Sequence, residues 1–239
     1  MKASGRGPTK LWGVPYGARA RMILLYLQTE AVRSGSPEVE LGRSMRDWLG
    51  RMGLSYGGET GKALKEQATR IAACSLKFFW EGEEGNDTDG GWAAGRFVSE
   101  GLRFRHQEGG SDDRQAQLFE ERVVLDQRFY NALRHHPVPL RETALRELAD
   151  RSASLDIYVW LAYRLHNLGR PTPIRWAALL EQFGTHYTQA KNFRRDFRAA
   201  LAPAVSAYPE ARVELAEDDS GLVLHPSLPP VGPRVIAAR

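Results

Sequence analysis

Six polar residues crowd into one short stretch: Gln189, Lys191, Asn192, Arg194, Arg195 and Arg198. Arg or Lys can donate to guanine O6 and N7, Asn or Gln can pair with adenine N6 and N7, and every cation can meet a phosphate. Within 188–202 the four cations face a single acid, Asp196. Phe193, Phe197, Ala200 and Leu201 recur at i, i+4, i+7 and i+8. A helix burying that stripe turns Lys191, Arg195 and Arg198 outward, with Arg194 and Asn192 on its flanks. The chemistry this suits is the reading of a DNA groove, with Arg195 and Arg198 as candidates for bidentate contact to guanine.

A second stretch offers a weaker version. Leu64, Ala68 and Ile71 are the apolar stripe of a helix beginning near Thr60 and ending near Cys74. Lys62, Glu66 and Thr69 then face away, flanked by Lys65 and Arg70. Such a face can meet phosphates and reads bases poorly.

Signals of covalent chemistry are thin. The run from Gly57 to Ala63 imitates a phosphate-binding loop, but it is one residue short and has Ala63 where a Mg²⁺-holding hydroxyl belongs. Around Asn86 and Asp89 a Ca²⁺ loop is suggested and fails at Gly85 and Arg96. His135 and His136 are adjacent and cannot share a helix face, while His166 and His186 lack cysteine partners. Cys74 stands alone and reads as a small core residue. A nicking enzyme would need a nucleophilic tyrosine, for which Tyr130 and Tyr187 are the available candidates. The expectation is a non-enzyme with no cofactor and no metal.

The elements that must position these residues alternate in a recognisable order. From Gly17 to about Arg33 an almost wholly apolar helix is expected, stopped at 34–37 by Ser, Gly and Pro. Val39 and Leu41 allow a short strand, and Ser44 caps a helix closed by Gly53. The 60–74 helix follows, then Leu76, Phe78 and Trp80 alternate as strands do, across an acidic loop from Phe97, Leu102 and Phe104. Helix, strand, helix, helix, hairpin is the order of a winged helix. The acids at 81–89 would be repelled by phosphate.

The same order returns downstream. Val123 to Leu125 and a short helix to His136 precede a long helix at 154–167, a strand at 172–174, a helix ended by Gly184 and the basic helix. Val213 and Leu215 then pair across an acidic turn with Leu222 and Leu224. Gly53 and Gly184 lie 131 residues apart, Ile23 and Ile157 134, Leu64 and Phe193 129. The expected fold is therefore α+β, mainly helical, with two tandem winged-helix domains related by a pseudo-repeat. The domains run 17–122 and 123–225, between a basic arm at 1–16 and a Pro-rich tail at 226–239.

The 239 residues carry 33 Lys plus Arg and 29 Asp plus Glu, a net charge of +4, with a single cysteine. This excludes a disulfide-stapled scaffold and a disordered chain. No apolar run, Met22 to Leu27 included, approaches the roughly 20 residues that span a bilayer. A soluble cytoplasmic protein without a membrane partner is expected.

Three runs carry a resemblance: residues 11–21, Ser44 to Leu49, and Leu155-Asp156-Ile157-Tyr158-Val159-Trp160-Leu161-Ala162-Tyr163-Arg164-Leu165. From about Leu11 to Val231 the chain resembles the plasmid-encoded RepA replication initiators of bacteria. The resemblance implies an initiator that binds repeated double-stranded DNA sites at a plasmid origin and melts AT-rich DNA nearby. It further implies recruitment of the host initiator and helicase-loading proteins, and repression of its own gene as a homodimer. Gln189, Lys191, Asn192, Arg194, Arg195 and Arg198 would read the repeat, with backbone contacts from Lys62, Lys65 and Arg70. A winged-helix transcriptional regulator and a DNA-nicking enzyme are the alternatives.

Overall fold

A computed structural model describes residues 13–55, 57–80, 91–101, 122–135 and 137–231. The fold is α+β and mainly helical, with small antiparallel sheets, and the chain divides into two compact units after His136.

The first unit begins with α1 (Gly17–Ser34), whose Met22, Ile23, Leu25, Leu27 and Ala31 are buried. Gly35, at φ 69°, ends it by donating its N–H to the Ala31 carbonyl, a left-handed cap that glycine adopts without Cβ strain. After β1 (Glu38–Glu40), α2 (Met45–Arg51) starts as expected at Ser44. The Ser44 hydroxyl accepts from the Asp47 N–H at 3.1 Å, and the Asp47 carboxylate accepts from the Arg43 N–H at 3.0 Å. One orphan donor of the helix start, the Asp47 N–H, is thereby satisfied, and the return bond to Arg43 fixes the chain entering it. Next come α3 (Gly58–Ala73), β2 (Ser75–Trp80), β3 (Gly91–Arg96), β4 (Val98–Glu100), β5 (Arg122–Leu125) and α4 (Gln127–His135). Trp48, Leu49, Leu64, Ala68 and Ile71 are fully buried in this core with Ile23 and Val123.

Here the structure corrects the sequence reading. The expected boundary at 122/123 cuts through a sheet: β5 lies between β1 and β4, with Val39 opposite Val123 and Val98 opposite Leu125. β5 and α4 therefore belong to the first unit. An aliphatic triplet followed by a helix looks the same whichever sheet it joins, and its partner β1 lies more than 80 residues upstream. β2, expected to pair across a loop with Phe97, Leu102 and Phe104, instead pairs with β3 in a separate two-stranded sheet, and Leu102 and Phe104 lie outside the described residues.

The second unit follows the expected order, with one helix more. It comprises α5 (Glu142–Glu147), which the periodicity did not reveal, α6 (Ser152–Arg164) with a 3₁₀ turn at Leu165–Asn167, and β6 (Thr172–Arg175). Then come α7 (Trp176–Phe183), α8 (Ala190–Ser206), β7 (Val213–Leu215) and β8 (Gly221–Leu224). Its sheet has the order β6-β8-β7, with Val213 opposite Leu224 and Leu215 opposite Leu222. A Cβ on Gly221 would strike the backbone of Ile174 and Arg175, so the central strand needs glycine there. α8 continues four residues past its expected end, through Pro203, which lacks the N–H a helix interior normally uses.

Both three-stranded sheets place the strand latest in sequence at the centre, between the first and the middle one. The described part of the tail, 226–231, is pinned to its unit. Arg141 donates to the Pro230 carbonyl at 2.7 Å and pairs with Glu210 at 2.6 Å, and the Tyr208 hydroxyl donates to the Leu228 carbonyl at 2.7 Å. Burial, aided by Glu210, pushes Tyr208 up to about 12. Of the arm, 13–16 is described and is likewise held, as shown below.

Candidate nucleic-acid interface

α8 lies on a bed of aromatic rings. Phe193 and Phe197 are 2% and 4% exposed, and Phe197 meets Trp176, Phe183 and Phe193 at centroid distances of 6.0, 5.4 and 5.4 Å. Trp160 extends the cluster through Phe183 and Tyr187 through Phe193. The edge-to-face pairs of Phe197 with Trp176 and Phe183 add to area burial and fix the roll of the helix about its own axis. Lys191, Arg194, Arg195 and Arg198, at i, i+3, i+4 and i+7, therefore form one outward stripe about 10 Å long. A shallow groove runs along it and ends at Asp219.

The stripe is not uniform. Lys191 and Arg194 are exposed and make no ion pair or side-chain hydrogen bond among the described residues. Arg195 donates to Asp196 at 2.8 Å while its side chain stays 71% exposed. Asp196 also accepts from the Tyr187 hydroxyl at 3.1 Å. The Arg195 guanidinium, more than that hydroxyl, holds the Asp196 carboxyl below its ordinary range. Gln189 caps the helix start by position, and its side chain accepts from Asn192 at 3.3 Å. Arg198 differs: it is ion-paired with Asp219, lies 5.1 Å from the centroid of the Trp176 ring, and is 39% exposed.

The first unit's third helix is occupied differently. Lys62 pairs with Glu59 at 3.1 Å. Lys65 is half-buried, and its carbonyl accepts from the Thr69 hydroxyl. Arg70 pairs with Glu66 at 2.8 Å, donates to the Val14 carbonyl at 3.3 Å and sits 5.0 Å from the Tyr16 ring centroid. Gln67, only 4% exposed, accepts the Tyr16 N–H at 2.9 Å. Arg70 thus braces the segment entering α1 rather than standing free on an outward face.

The model of the family described as plasmid encoded RepA protein matches residues 14–180. This chain belongs to the plasmid-encoded RepA replication-initiator family. Two crystal structures of domains 2 and 3 of RctB share its fold. One is 15% identical at a TM-score of 0.53, covering 85% of this chain and 79% of that one. The other, a selenomethionine form, is 13% identical at 0.56, covering 90% and 83%. No curated protein matches.

In this RepA-family chain the remaining candidates that are described make local contacts. Gly57 and Gly58 open α3 directly after a loop from α2, not after a strand as a phosphate-binding loop requires. The Ca²⁺-loop resemblance, the acids at 81–89 and His136 lie outside the described residues. Cys74 is half-exposed at the end of α3 rather than buried. Tyr130 is 3% exposed and cannot present its oxygen to a phosphodiester, while Tyr187 engages Asp196. His135 bonds the Asn131 carbonyl one turn back in α4, and His166, in the 3₁₀ turn, bonds the Ala162 carbonyl of α6. No helix among the described residues is long and apolar enough to cross a membrane.

Asp219, Trp176 and Gln67 escaped the sequence reading as site-forming residues, and Tyr187 entered it only as a candidate nucleophile, not as a partner of Asp196. Their partners lie 9 to 51 residues away, and no local spacing announces them.

Proposed function

We propose that this chain initiates plasmid replication by gripping repeated double-stranded sites at the origin with α8, as two winged-helix units in tandem. The observation that carries the reading is the exposed cationic stripe of Lys191, Arg194 and Arg195 on a helix rolled into place by Phe193 and Phe197. Support comes from the order helix, strand, helix, helix, hairpin in the second unit, in which the third helix is the one that enters a major groove. The matching sheet order in the first unit supports a pseudo-repeat with β2 and β3 inserted. The chain acts in the cytoplasm, recruits host initiator or helicase-loading proteins, represses its own gene as a homodimer, and breaks no covalent bond.

Binding to a duplex carrying the origin repeat should exceed binding to random duplex about a thousandfold or more at physiological salt. Affinity should fall steeply with salt, by a log–log slope of about 0.9 per phosphate neutralised. Equal affinity for both duplexes would overturn the reading. So would a nick in supercoiled origin DNA incubated with the protein and Mg²⁺.

A further inference from the structure

The turn between β7 and β8 carries Glu217, Asp218 and Asp219, an acidic tip beside a cationic helix. In a winged helix that hairpin is free to approach the phosphate backbone, and three acids would be repelled there. The geometry gives the tip another task. Asp219 is the one non-glycine residue with positive φ, 56°, among the described residues. Its backbone carbonyl accepts the Trp176 indole N–H at 2.9 Å, while its carboxylate takes the Arg198 guanidinium. The same guanidinium packs over the Trp176 ring, and its Nε is buried without a partner. The Ser220 carbonyl accepts the Trp176 N–H at 3.0 Å, so the tip is tied at both 219 and 220. Three elements, α7, α8 and the hairpin, meet at one three-residue knot.

We infer that Asp219 is a specificity-determining residue: it withdraws Arg198 from the DNA-facing charge and keeps the hairpin tip off the phosphates. Base reading is thereby confined to the first two turns of α8, at Lys191, Asn192, Arg194 and Arg195. The inference rests on the reading of α8 as the DNA-binding helix. A free Arg198 would strengthen binding to any sequence, because an added phosphate contact carries no sequence information. An acid that neutralises it lowers random binding and leaves base contacts in place, which raises the ratio between the two.

The test uses the full chain with Asp219→Asn, Asp218→Asn and Arg198→Ala, and the double variant R198A/D219N. Asn accepts the left-handed conformation, so the first change preserves the turn. D218N makes the same charge change at a carboxylate that bonds the Ser220 N–H instead of Arg198, and supplies the charge-only baseline. Against random duplex, D219N should steepen the salt slope by about 0.9 beyond D218N and tighten binding several-fold. Affinity for the origin repeat should rise less, so the specificity ratio falls. R198A alone should leave the slope unchanged, and R198A/D219N should cancel the gain.

A D219N slope equal to that of D218N overturns the inference. So does a wild-type slope that drops by about 0.9 in R198A, which would place Arg198 on a phosphate already. If the wild type binds no DNA, the reading of α8 fails, and the knot is judged by exchange of the Trp176 indole proton. Faster exchange in D219N than in D218N upholds the tie between the tip and α7; equal exchange removes it.

Discussion

The helices that precede the hairpin in the two units, α3 and α8, have comparable length and the same place in the order helix, strand, helix, helix, hairpin, yet their polar faces do opposite things. On α3, Lys62 and Arg70 are matched by Glu59 and Glu66 on the same helix, and Gln67 and Arg70 turn inward to hold residues 14–16. On α8 the single acid, Asp196, takes Arg195 and Tyr187 and leaves Lys191 and Arg194 open. Local acids one turn away neutralise a helix; an acid shared with a neighbouring loop orients it. The difference lies less in the number of cations than in where each one's nearest carboxylate sits.

The anchoring differs as well, and this yields the largest expected effect. α8 is held by two phenylalanines inside a cluster of rings, α3 by Leu64, Ala68 and Ile71. Phe197→Ala removes the ring at the centre of that cluster and should cost about 3–5 kcal/mol, against roughly 2–5 for Leu64→Ala. Chemical denaturation followed by hydrogen exchange checks this. F197A should release protection in the second unit and leave the first intact; a uniform loss over both units would show that the two helices are not independently anchored.

Next in size is the contrast in charge. Lys191→Ala with Arg194→Ala should weaken binding to the origin repeat by about 2–4 kcal/mol if one contact is to a base edge and one to a phosphate. Lys62→Ala with Lys65→Ala should cost less than about 1 kcal/mol, a cation already paired on the surface having little to give. Titrations of both double variants on the same labelled duplex decide it. Equal losses would make α3 a second reading helix.

Much of this contrast was legible in the sequence. The apolar stripes of both helices, the Ser44 cap and the pairing of Val213 and Leu215 with Leu224 and Leu222 follow from period and capping chemistry alone. What escaped was non-local. β5 could be placed only by its partner β1, and nothing near Arg198 announces its ion pair with Asp219, 21 residues away. Arg70 was placed on a flank correctly, but nothing in 60–74 signals that the Val14 carbonyl and the Tyr16 ring would occupy it. Cys74 was misjudged because it lies at a helix end, where the apolar stripe no longer dictates burial.

The smallest effect is the most pointed test of the comparison. Gln67 is a buried amide whose oxygen takes the Tyr16 N–H, and Arg70 closes the other side of the same segment. Gln67→Leu keeps the volume and removes the acceptor, so a part-buried N–H loses its partner at a cost of about 1–3 kcal/mol, less if water reaches it. Arg70→Ala opens the segment to solvent at a smaller cost. Both should speed tryptic cleavage at Arg19 and Arg21, next to the released segment, while changing origin-repeat affinity less than about twofold. Wild-type cleavage rates would show that the latch does not hold residues 13–16. An R70A variant that loses as much affinity as R194A would move Arg70 from the bracing of α1 to the DNA, and the division of labour between the two helices would have to be redrawn around it.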